Sequence, residues 1–230
     1  MTAILTFIAS LLLAWSQPLP QAPQPAQPPR FDMVVRADFF AGFAGSDARL
    51  AKAMAACEAA LAADPKNAEA LVWHGAGLAF KAGMAFRKGD QETGIALWTR
   101  GLQEMDSAVS MAPENVGVLI PRGAMLLQAT MNMPPERARP LLEKAVGDYE
   151  QVLALQSAYF DTLGDHPKGE LLFGLAEGFS RLGNADKARM YFNRLIADTP
   201  ASGQAPKART WLTTGSLPKS QGLGCVGCHK

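Results

Sequence analysis

The stretch GELLFGLAEGFSRLGNADKARMYFNRLIADTP, Gly169 to Pro200, decides how the rest of the chain is read. Leu172, Leu175, Ala176 and Phe179 recur at helical spacing and mark one face of a first helix, which Gly183-Asn184 interrupts. Ala188, Phe192 and Leu195 mark one face of a second helix, closed by Pro200. Small residues at Ala176 and Ala188 let the two helices approach, while Phe179 and Phe192 fill the space beside them. The stretch predicts a helical hairpin.

The same spacing recurs upstream. Leu71, Gly75 and Leu78, then Gly101, Met105, Ala108 and Pro113, repeat the pattern in a longer unit. Gly89-Asp90 falls late after Gly75, and Gly101 falls late after that break, by about two helical turns (~7 residues) each. Both helices therefore lengthen without losing their buried face, which predicts helices from about Ala68 to Lys88 and from about Gln91 to Met111. Leu119, Gly123 and Leu126, then Ala145, Tyr149 and Val152, form a third unit. It carries an insertion, MNMPPERARP (Met131 to Pro140), with Pro140 expected to start or bend its second helix. A partial first unit has FDMVVRADFFAGFA as a shortened first helix and Ala53, Cys57, Ala60 and Pro65 in its second. No stretch shows the alternation of a strand.

This pattern resembles the tetratricopeptide repeat, most closely over Gly169 to Pro200. The expected fold class is all-α, a solenoid of about four helical hairpins over residues 31–212. The resemblance implies a concave wall built by the first helix of each pair, where a protein or peptide binds. Mapped onto this sequence, Glu69, Val72, Ala76, Phe80, Ile120, Ala124, Leu127, Phe173, Glu177 and Arg181 would face that wall. They suit a hydrophobic or aromatic ligand; the alternative is that several pack against neighbouring helices.

Outside the repeats the chain changes character. Ala3 to Trp15 is mainly apolar, too short for a stable membrane span, and Ala14-Trp15-Ser16 places small residues where a signal peptidase reads, although no Lys or Arg precedes the run. Residues 1–16 are read as a signal peptide, with an uncleaved anchor as the alternative, and residues 17–30 as a proline-rich spacer. Lys and Arg total 22 against 21 Asp and Glu, with no run of like charge, so a nucleic-acid partner is not expected.

The remaining segment, residues 213–230, reads as a Gly- and Ser-containing tether ending on Cys225-Val-Gly-Cys228-His229-Lys230. C-x-x-C-H resembles the attachment site of c-type cytochromes. That resemblance implies one covalent haem c, with thioethers from Cys225 and Cys228 and the His229 imidazole on the iron. It also implies export, since such haems are attached outside the cytoplasm. In family members a second axial ligand usually follows the motif, whereas here only Lys230 does. Met131, Met133 and His166 are the candidates upstream. His74 and Cys57 occupy packed repeat positions and are expected in the core. Rival readings of the motif are a Cys225–Cys228 disulfide, a zinc site lacking its fourth ligand, or no role.

The sequence thus predicts an exported helical-repeat scaffold, periplasmic or secreted, with a haem on its tail and an electron-transfer or accessory role beside a redox partner. The alternative is a haem-free interaction scaffold. No nucleophile, base and orienting group stand together in the sequence, so an enzyme is not expected.

Overall fold

The computed structural model describes residues 30–217. The signal peptide, nearly all of the proline-rich spacer and the Cys225, Cys228 and His229 motif lie outside the described residues. Those residues form nine α-helices: α1 (Phe31–Phe43), α2 (Asp47–Ala63), α3 (Ala68–Arg87), α4 (Gln91–Met111), α5 (Val116–Ala129), α6 (Pro135–Leu155), α7 (Asp165–Arg181), α8 (Ala185–Asp198) and α9 (Ala205–Thr214). No strand occurs among the described residues, and none of their helices is long and apolar enough to cross a membrane. Helices pair in chain order, α1 with α2, α3 with α4, α5 with α6 and α7 with α8, and α9 packs on α8. The first helices also touch in sequence, α1 on α3, α3 on α5 and α5 on α7.

The turns follow from local chemistry. Gly89 and Gly183 both adopt φ 83°, a left-handed conformation that side chains disfavour. Each closes its helix by a pair of bonds: Gly89 N donates to Phe86 O and Asp90 N to Ala85 O; Gly183 N donates to Ser180 O and Asn184 N to Phe179 O. Asp90 and Asn184 then cap the next helix, accepting from Thr93 N and Lys187 N. Gly45 and Ser46 close α1 with the same bond pattern. The α5–α6 connection is different. It has no such glycine and runs through a short 3-10 turn, Thr130–Asn132, and then Pro134.

Small residues decide how closely the helices pack. A Cβ on Gly75 would lie 2.7 Å from Gly101 O, and one on Gly101 would lie 2.7 Å from Gly75 O, so α3 and α4 meet backbone to backbone there. α3 and α4 are continuous over the lengths expected from the paired extensions, and Leu78 and Met105 are buried between them. Tyr149 of α6 reaches both neighbours, filling space that a Cβ on Gly123 or Gly174 would occupy. Ala176 and Ala188 are fully buried in the last hairpin, beside Phe179, which stacks on Tyr191, and Phe192.

Three expectations need correction. Of the two roles expected for Pro140, starting α6 is excluded. The helix begins at Pro135, a first-turn position where the missing amide is harmless, and Pro140 is accommodated inside it on the exposed side. α9 continues through Thr214 before Gly215 turns left-handed, so the helical body extends past residue 212. Third, Val72 and Ala76 do not face an open wall, and Leu127 is nearly buried at the floor of a concavity. The first two are buried, because α3, α5 and their neighbours pack closely enough to cover them.

Candidate functional site

His74 and Cys57 are core residues, as their repeat positions implied. His74 is 3% exposed, its Nδ1 lies 2.5 Å from Glu104 Oε2, and Glu58 Oε1 stands 3.7 Å from Nε2. Burial alone would raise the Glu104 carboxyl, but the bonds from His74 and Arg100 hold it below its ordinary value. Cys57 is fully buried, and burial pushes its thiol up to about 12, so it stays protonated and unreactive. A second buried polar unit ties three helices together. Arg122 of α5 donates from Nε and Nη2 to the buried Asp148 of α6 at 2.8 and 2.6 Å, and from Nη1 to Asp106 of α4 at 2.9 Å. Burial pushes the Asp148 carboxyl up against the pull of that guanidinium. Both units read as structural.

The unusual α5–α6 connection opens a cavity of about 330 Å³ at the junction of α5, α6 and the C-terminal end of α7. Met131, Met133, Arg139, Leu142, Arg181 and Leu182 are among its lining residues. Arg181 builds one wall. Its Nη1 donates to Leu127 O and its Nη2 to Thr130 Oγ1, each at 2.7 Å, so it caps carbonyl and hydroxyl groups left at the end of α5. Thr130 in turn donates to Leu126 O. Met133 packs against the hydrophobic core, whereas Met131 remains 39% exposed. A smaller concavity, about 60 Å³, lies between α5, α7 and α9. Ala124, Leu127, Phe173 and Glu177, four residues expected on the concave wall, line it with Lys207. Burial pushes the Glu177 carboxyl up, opposed by Arg181 and Lys207.

Of the expected second ligands, Met131 and Met133 come together at the larger cavity. His166 sits in the first turn of α7, about 22 Å along the helix from Arg181. Arg139, Leu142 and Leu182 were not singled out from the sequence, because only the meeting of three helix ends gives them a common purpose. No cluster of three or more His, Cys, Asp or Glu side chains suited to a metal occurs among the described residues. The lining of the larger cavity mixes the two thioethers and the apolar Leu142 and Leu182 with the charged Glu136 and Arg139. No family model matches this chain, and no curated protein matches it either.

Proposed function

We propose that this protein is an exported scaffold of tetratricopeptide-like hairpins that carries one covalent c-type haem on its C-terminal tail, with an electron-transfer or accessory role in a periplasmic assembly. The observation that carries the reading is Cys225-x-x-Cys228-His229 in a chain with only three cysteines. The third, Cys57, is fully buried in the core with its thiol protonated, which supports leaving Cys225 and Cys228 to each other or to a shared group. Pairing of consecutive helices, close approach at Gly75–Gly101 and full burial of Ala176 and Ala188 support the repeat assignment.

In this reading Cys225 and Cys228 would hold the haem through thioether bonds to its two vinyl groups. His229 would supply an imidazole ligand to its iron. When bound, the haem supplies one-electron transfer. The helical body would select the partner, and the concavity of Ala124, Phe173 and Glu177 suits an apolar side chain with a basic neighbour. Residues 1–16 direct export, which attachment requires.

The test is the absorption spectrum of the full chain produced in a host that matures c-type haems. A haem spectrum that responds reversibly to reductant and oxidant is expected. Colourless protein from that host would overturn the reading in favour of a plain interaction scaffold.

A further inference from the structure

We propose that the cavity at the α5–α6 junction binds a small carboxylate bearing an apolar chain, with the Arg139 and Arg181 guanidiniums receiving the carboxylate. The site belongs to the helical body and is independent of what the tail carries. It is built by the insertion MNMPPERARP, which has no counterpart in the other hairpins. Where those close on the left-handed glycines Gly45, Gly89 and Gly183, this connection runs through Thr130–Asn132 and Pro134 and leaves about 330 Å³ enclosed. That volume is near the small end for ligand sites (about 300–1,000 Å³), which suits a chain of about eight carbons rather than a long lipid.

Charge fixes the sign of the ligand. The Arg181 side chain is 21% exposed, and its two hydrogen bonds go to neutral acceptors, Leu127 O and Thr130 Oγ1. Among the described residues the only carboxylate within 4 Å of it is Glu177, at 3.8 Å, too far for a hydrogen bond, and burial pushes that carboxyl up towards its neutral form. The guanidinium itself stays charged. Burial disfavours its charge, as expected of a cation short of counter-charge. The wall therefore holds a positive charge that its neighbours solvate without neutralising. Arg139, on the facing helix, is 62% exposed and stands 3.6 Å from Glu143, a surface pair of little worth that leaves it free to turn to a ligand. The start of α6, whose N-cap Pro134 makes no side-chain cap, adds partial positive charge. Glu136 is the one carboxylate in the lining and lies exposed in the first turn of α6, so two guanidiniums face one carboxylate. The remaining walls decide the rest of the ligand. Leu142 is buried, Leu182 and Met133 pack against the core, and the adaptable thioether of Met131 stands at the rim. An inorganic anion would leave these walls uncovered, and a neutral apolar molecule would leave Arg181 without its counter-charge.

The experiment uses the full-length protein and octanoate as the probe, with octylammonium, octanol and acetate as comparisons, each below its micelle threshold. Methyl signals of carbon-13-labelled methionine locate binding, and calorimetry measures it. Octanoate should shift the Met131 and Met133 signals saturably while Met33 and Met190 stay in place, and the three comparison molecules should bind at least about tenfold more weakly. Arg139→Glu, an exposed change that leaves the fold intact, should weaken octanoate by about fivefold, and Arg181→Gln by at least about tenfold. Lys66→Glu, the same change of charge in the turn at the opposite end of the hairpins, should bind like the wild type. If Arg181→Gln does not fold, Arg139→Glu and the methyl signals decide. Unsaturable octanoate, Met131 and Met133 signals that do not move, octylammonium or octanol binding as tightly as octanoate, or Arg139→Glu binding like Lys66→Glu would each overturn the proposal.

Discussion

Glycine to alanine is expected to act with opposite sign at two positions of the same helix, α3. At Gly75 an added Cβ would meet Gly101 O at 2.7 Å, Met105 Cγ at 3.0 Å and Glu104 Cβ at 3.1 Å. The nearest atom is backbone and cannot rotate away. Reaching ordinary contact, 3.4 Å, requires α3 and α4 to separate by about 0.7 Å. A gap of that order forfeits a quarter to a half of each dispersion contact across the seam, where Leu78, Met105 and Ala108 are buried. Overpacking of this kind costs about 1–3 kcal/mol, and a backbone clash belongs near the top of the range. The helix-propensity gain of alanine returns about 1 kcal/mol, leaving a net loss of about 2 kcal/mol. At Gly83 the only neighbour is Arg87 Nη1 at 3.5 Å, the end of a flexible side chain, so the same gain of about 1 kcal/mol should stand alone. Thermal unfolding followed by far-ultraviolet circular dichroism reads both. At ~2–4 °C per kcal/mol for a domain of this size, Gly75→Ala should lower Tm by about 4–8 °C and Gly83→Ala should raise it by about 2–4 °C. A Tm for Gly75→Ala equal to or above the wild type would refute the backbone contact between the helices.

The other expectations are briefer. Asp148→Ala leaves the Arg122 guanidinium buried without its main partner and should cost about 3–5 kcal/mol in urea unfolding, while replacing both residues by Leu and Met should cost far less than the sum of the single changes. Glu104 has its folded-state value held down, so its contribution is present above the ordinary carboxylate range and is lost as pH falls through the lowered value; Glu104→Gln should flatten the acid limb of a stability profile below about pH 4. An acid limb unchanged by that substitution would contradict the assignment. Amino-terminal sequencing of exported protein should begin at or near Gln17, and an intact Met1 on the exported protein would count against cleavage.

The hairpins were readable because their punctuation is local. Gly89-Asp90 and Gly183-Asn184 each supply a left-handed residue and a cap, and the spacing of Gly75, Gly89 and Gly101 carried the lengths of α3 and α4. The concave wall was less readable. Val72, Ala76 and Leu127 sit at helical spacing that suits an open face and a buried seam equally, and only the separation of α3, α5 and α7 decides between them. Of the two roles open to Pro140, starting α6 is excluded, because Pro135 takes the first helical position where a missing amide is harmless. For the cavity, the methionines were visible in the sequence, but Arg139, Leu142 and Leu182 were not, since they come from different helices and gain meaning only where the α5–α6 connection swings wide. The direction of α9 along α7 rests in part on Trp211 and Ser180, a pair far apart in sequence.

The most direct test is the intact mass of full-length protein matured in a competent host and then denatured. The expected mass is that of the processed chain plus one haem, lost from the Cys225→Ala, Cys228→Ala double variant, because thioethers survive denaturation where coordination alone does not. A mass equal to the chain less two hydrogens, with Cys225 and Cys228 joined to each other, would contradict it.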